Sequence, residues 1–286
     1  MKRKSSKKLS TKAWIKAEKK KQSRIGLAIF LSLILLIVIP SIYYSYNILS
    51  RPNSQTIAHE FKPKAAIVDQ LSLTFPNQTF IETATNILKQ AGYSVDYYPG
   101  EKVTVEFFRN LPIHGYGLII LRVHSAVAEG TTRLALFTSE SYSQTKYIYE
   151  QLTGQVGIVA FLPYNEGDPL YFGVDYKFLK ESMNGQFNNT TIVMMGCEGL
   201  TYTTMAEAFI QKGAKVCIGW NASVSVSHTD TATISLLKHL ITEKQTINQA
   251  VENAMKEAGP DPTYNSQLTY YPLNAREYTI KNLEGT

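Results

Sequence analysis

Apolar and polar positions alternate along most of the chain between short buried-strand runs and helical stripes. Residues 65–68 (Ala-Ala-Ile-Val) read as a short buried strand, residues 93–98 as a second and residues 116–123 as a third. The third is almost wholly apolar, as a strand covered on both faces must be. Residues 191–195 and 216–219 repeat that pattern. Helical stripes lie between them. Ile81, Ala84, Leu88 and Ala91 share one face of a helix that Thr79 opens, with Glu82 three residues on as a capping box, and Gly92 ends it. A short helix is expected within 101–110, another from about 203 to Gly213, and another from Ser227 with the stripe Ile234, Leu237, Leu240 and Ile241. Thr246 with Gln249 forms a second capping box for a last helix that ends at Gly259-Pro260. Residues 126–175 are less regular, with strand-like 134–137 and 156–161 around a helix near 143–153. Alternating β and α units with apolar strands predict an α/β fold: a mostly parallel sheet with helices on both faces, a three-layer α-β-α sandwich over residues 64–286.

The N-terminal quarter follows another rule. Residues 25–42 form an uncharged, nearly continuous apolar run followed by Tyr43, Tyr44 and Tyr46. That is about the length a bilayer core requires, with aromatics at one interface. The reading is a basic cytoplasmic tail (1–24), one transmembrane signal anchor (25–48) and a polar stalk (49–63). A cleaved signal peptide is the main alternative, and no Ala-x-Ala pattern follows the apolar run.

Charge supports this division. The formal net charge is +6, from 29 Lys+Arg against 23 Asp+Glu. Residues 1–24 hold eleven of the basic residues and one acid, Glu18, which leaves 18 basic and 22 acidic residues, a net of −4, for the rest. The positive-inside rule then keeps the tail in the cytoplasm and sends the body outside a cell membrane. The basic excess belongs to the tail, so nucleic acid is not expected as a partner. Sequons at Asn77, Asn188, Asn189 and Asn221 are compatible with an exterior location. Two cysteines exclude a disulfide framework.

Two residues with reactive chemistry fall at strand ends, where open α/β sheets build their sites. His124 closes the third strand, and Cys197 follows residues 191–195 between Gly196 and Gly199. If these strands are neighbours, the side chains meet at one sheet edge. An imidazole there can take the thiol proton or lower its pKa, and N–H groups of the turn and of Ser125 can polarise a carbonyl. Cys217 sits mid-strand and reads as a buried small hydrophobe. No metal-ligand spacing, phosphate loop or nucleophile elbow is present.

The order of apolar strand and His, insertion, apolar strand and Gly-Cys, helix, Gly-Ala, strand, Trp, and helix with Asp resembles the caspase-like cysteine peptidases. The residues that carry it are 118–121 up to His124, 194–197, 206–214, 217–220 and Thr229-Asp230. The branch it resembles contains CHAT domains, separases and gingipains, and the likeness covers roughly residues 64–258. It implies a His124–Cys197 dyad without metal or cofactor, acting on a protein or peptide through a thioester, with Ser125 and Cys197 N–H groups at the oxyanion. It differs in having Ser125 where the family usually has Gly, and in the stretch Glu198-Gly199-Leu200. In separase-like members an acid after the Trp-containing strand binds a basic substrate side chain. Asp230 lies there, although its position near a helix start favours a cap; Glu198 and Asp175 are the other candidate pocket acids. Other readings are a catalytically inactive binding module at the cell surface and a different thiol hydrolase or amidase.

Overall fold

The computed structural model describes residue 20 and residues 36–41, 63–161 and 163–280. The chain divides into two units, residues 1–61 and 62–286. Of the first, residue 20 and residues 36–41 are described, and both are helical. Most of the expected membrane span at 25–48 lies outside the described residues. No helix among the described residues is long and apolar enough to cross a membrane.

The second unit is built on a six-stranded sheet. Its strands are β1 (Lys64–Asp69), β2 (Ser94–Pro99), β3 (Leu118–Arg122), β8 (Thr190–Met194), β9 (Ala214–Trp220) and β10 (Leu268–Tyr271), in the spatial order β10-β9-β8-β3-β1-β2. All neighbours are parallel except β10 on β9. Successive side chains of a strand point to opposite faces, so a sheet covered on both sides needs apolar residues at every position. Ala65, Ile67, Leu118 and Ile120 pack into one core and Ala66, Val68, Ile119 and Leu121 into the other. The first core is completed by α1 (Gln78–Gln90), α6 (Val226–Leu237) and α7 (Ile247–Ala258), the second by α2 (Val105–Asn110), α4 (Tyr176–Glu181) and α5 (Thr204–Gln211). This is the expected three-layer arrangement.

The irregular insertion is a second sheet. β4 (Ser125–Val127), β5 (Leu134–Ser141), β6 (Val156–Val159) and β7 (Tyr171–Asp175) form an antiparallel sheet in the order β4-β5-β7-β6, with the short α3 (Ile148–Leu152) between β5 and β6. Leu134, Leu136, Phe172 and Val174 pack into the second core. Neither β7 nor β10 was expected from the pattern.

The helix starts correct two readings. Asn77, not Thr79, caps α1: its Oδ1 accepts the Phe80 N–H at 3.0 Å, while Glu82 accepts from Gln78. The Asn77 amide also donates to Asp230 at 2.9 Å, so this sequon asparagine is occupied in the fold. α6 begins at Val226, which places Asp230 too deep in the helix to cap it. The expected capping box of α7 is formed by Thr246 and Gln249. α5 stops at Lys212 before Gly213, whose φ of +101° suits glycine and whose missing Cβ leaves room for the Phe187 carbonyl.

Candidate functional site

β3 and β8 are parallel neighbours with Leu121 paired to Met194. His124 and Cys197 each lie three residues beyond that pair, so the register delivers both to the carboxyl edge of the sheet. They line one open cleft of about 1250 Å³ together with Ser125, Glu198 and Asp230. The same cleft is bounded by Phe75, Val224 and Tyr264. Asp175 lies elsewhere: it caps α4 through the Lys177 N–H at 3.0 Å and pairs with Arg133 at 2.9 Å, which removes it as a pocket acid.

The turn that carries Cys197 is tightly tied. Gly196 lies against the Val123 carbonyl and Ser125, where any Cβ would collide. Met195 N–H donates to Leu121 O at 3.0 Å and Glu198 N–H to Ala222 O at 2.9 Å. Glu198 takes a left-handed φ of +62°. The thiol lies between the donor and acceptor of one residue, with Val224 N–H at 3.5 Å and Val224 O at 3.6 Å. β4 faces this turn from the other side. His124 O accepts from Phe137 N–H and Ala128 N–H donates to Arg133 O, so the even-numbered backbone groups face β5. The N–H groups of Ser125 and Val127 therefore face the Cys197 turn. Val127 N–H is taken by the Glu198 carboxylate at 2.8 Å. The Ser125 hydroxyl donates to Cys197 O at 2.6 Å.

His124 is held by residues that sequence patterning passed over. Its N–H donates to Gln70 Oε1 at 3.0 Å and its Nε2 pairs with the Thr74 hydroxyl at 3.3 Å. The ring packs against Phe161, Phe137 and Phe75, with centroids at 4.8, 6.0 and 6.0 Å. Burial, with the positive charge of Arg122 nearby, lowers the imidazole pKa to about 4. The ring is therefore neutral at pH 7 and a weaker base than a free imidazole. No hydrogen bond joins His124 to Cys197 among the described residues.

Beneath the cleft lies an ion cluster. Arg122 is fully buried; its Nη1 donates to Asp69 at 2.7 Å, and its Nε and Nη2 grip Asp230 at 2.8 and 2.9 Å. Nη2 also donates to Phe75 O at 2.9 Å. Two carboxylates hold the guanidinium charged against the cost of burial, and burial pushes the Asp69 carboxyl up against the pull of Arg122. Asp230 is thus a structural counter-ion in place of the expected helix cap. A charged residue in an otherwise apolar strand was the signal for this cluster, because it demands a buried partner.

No family model and no curated protein matches the chain. Among solved structures it is similar to the Arg-specific cysteine proteinase gingipain R, at 14% identity and a TM-score of 0.43. That likeness covers 69% of this chain and 41% of that one, so the chain spans less than half the length of gingipain R.

Proposed function

We propose that the chain is a membrane-anchored, outward-facing cysteine endopeptidase of caspase-like fold, with Cys197 as nucleophile and His124 as base. The observation that carries this reading is the shared register position of the two residues at the mouth of one cleft. In the reaction, His124 takes the thiol proton and the sulfur attacks the scissile carbonyl carbon. The N–H groups of Ser125 and Cys197 are the oxyanion donors. Collapse breaks the C–N bond, His124 returns the proton to the leaving amine, and water then hydrolyses the thioester. The apolar run at 25–42 and the basic tail before it support the anchor and its orientation.

The test is hydrolysis of a peptide library by the full-length chain beside Cys197→Ala. Equal cleavage by the two, or none by either, ends the assignment. Labelling of intact cells with an impermeant amine reagent checks orientation, since residues 63–286 should react from outside.

One observation favours a second reading, a catalytically inactive binding module at the cell surface. The imidazole is engaged by Thr74 and the thiol by Val224, with no bond between them. The rate of Cys197 alkylation against pH separates the two. A thiol titrating near 8.5 favours the module, and one well below that favours the enzyme.

A further inference from the structure

Besides the Cys197 thiol and the Tyr264 phenol, the groups able to carry charge in the cleft lining are Arg122, His124, Glu198 and Asp230. Arg122 and Asp230 offer nothing to a ligand. Arg122 is 0% exposed and its donors are spent on Asp69, Asp230 and Phe75 O. Asp230 is 5% exposed; Oδ1 accepts from Arg122, and Oδ2 from both Arg122 and Asn77. An acid so occupied and only 5% exposed neutralises a buried cation and is committed to the fold before any ligand arrives. Glu198 remains, but its Oε2 is turned onto the Val127 N–H of β4.

Among the small polar side chains of the lining stand two large, exposed aromatic ones, Phe75 and Tyr264. Val224 touches the thiol through its backbone and lines the cleft. Phe75 stands edge-on to His124 and is 51% exposed, and Tyr264 across the cleft is 53% exposed. The backbone of Phe75 is fixed by its carbonyl bond to Arg122, and that of Tyr264 by its N–H bond to Asp261 at 2.8 Å. Two aromatic side chains left half in water at the mouth of a cleft gain by covering with apolar surface. A charged side chain entering between them would lose hydration with only the Glu198 carboxylate, already shared with the Val127 N–H, to meet it.

We infer, on the peptidase reading above, that the substrate side chain next to the scissile bond is uncharged and apolar, bound against Phe75 and Tyr264, and that Asp230 serves the fold rather than substrate choice.

The experiment uses the full-length chain and peptidyl ketone probes that differ only in the residue beside the thiol-reactive group: Phe, Leu, Arg, Lys or Asp. Adduct formation at Cys197 is timed by mass spectrometry, with Cys197→Ala as background. The Phe and Leu probes are expected to react at least about tenfold faster than the charged ones, the scale on which apolar pockets discriminate. Phe75→Asp, at an exposed position and checked by an unchanged melting temperature, should erase that preference and raise reaction with Arg and Lys. Fastest reaction of the native chain with Arg or Lys overturns the inference while leaving the peptidase reading intact. A preference that Phe75→Asp does not move also overturns it. No adduct with any probe sinks the peptidase reading itself, and this inference with it.

Discussion

The Ser125 hydroxyl donates to the carbonyl oxygen of Cys197 at 2.6 Å, joining the residue after His124 to the cysteine of the cleft. A glycine at 125 would leave that carbonyl without this donor. The serine thus fixes the turn that aims the thiol, and its own N–H faces the same turn. Ser125→Ala removes one hydrogen bond of the usual strength, roughly 1 kcal/mol. Stability should fall by about that amount in denaturant unfolding. On the peptidase reading kcat/KM should fall about fivefold with KM little changed. An unchanged kcat/KM would show that the bond does not hold the reacting geometry.

The pH dependence follows from His124. Burial first, and Arg122 second, bring its pKa from 6.5 to about 4 in the folded chain. A lowered folded-state value means that the unfolded chain binds the proton first as pH drops. The stability contributed by the neutral ring is complete above about pH 6.5 and is lost as pH falls from there toward 4. Melting temperature should therefore fall more steeply over that window for the native chain than for His124→Gln; parallel curves would refute the shift. On the peptidase reading, the histidine limb of kcat/KM should also lie near pH 4.

Much of this arrangement was legible in the chain. Nearly apolar runs at 116–123 and 191–195 announced strands covered on both faces, and their ends marked His124 and Cys197. Adjacency of the two strands had to be assumed, because nothing local encodes strand order. The edge strand β10 escaped because Leu-Thr-Tyr-Tyr carries only four residues, one of them fully buried. Asp230 was misread because helix-start chemistry is local, whereas its real partner, Arg122, is 108 residues away. Thr74, which meets the imidazole, and Gln70, which accepts the His124 backbone N–H, lie in a short turn of chain without periodicity and reach His124 from 50 and 54 residues away.

The Arg122 cluster yields a stability prediction. Arg122→Met leaves Asp69 and Asp230 buried, close together and unpaired. Removing one partner of a buried ion cluster typically costs about 3–5 kcal/mol. Equilibrium unfolding should show a loss of that order. Adding Asp69→Asn and Asp230→Asn to Arg122→Met should recover part of it, since neutral amides tolerate burial better than unpaired carboxylates. If the triple variant is less stable than Arg122→Met alone, charge desolvation is not the dominant cost.

Gly196 has no room for a side chain. A Cβ there would meet the Val123 carbonyl oxygen and Ser125, both part of the framework that holds the site. Backbone cannot yield as a flexible side-chain tip can, so Gly196→Ala must displace the Cys197 turn from β3. The variant should lose roughly 1–3 kcal/mol of stability, the usual range for overpacking. Cys197 alkylation should change in rate by more than it does in Ser125→Ala. Crystals of Gly196→Ala with the turn unmoved would refute the steric argument.

The two thiols should differ sharply in reactivity. Cys217 is fully buried in β9, and burial pushes its thiol far above the usual range, so almost no thiolate forms there. Cys197 is partly exposed and lines the open cleft. Brief treatment of the folded chain with iodoacetamide at pH 7.5 should modify Cys197 alone, and peptide mass mapping should find Cys217 only after denaturation. Cys217→Ala should leave that labelling unchanged at a stability cost of about 1–2 kcal/mol for the small cavity, whereas Cys197→Ala should abolish labelling of the folded chain. Modification of Cys217 in the folded state, at a rate near that of Cys197, would mean that β9 opens far more readily than its packing implies.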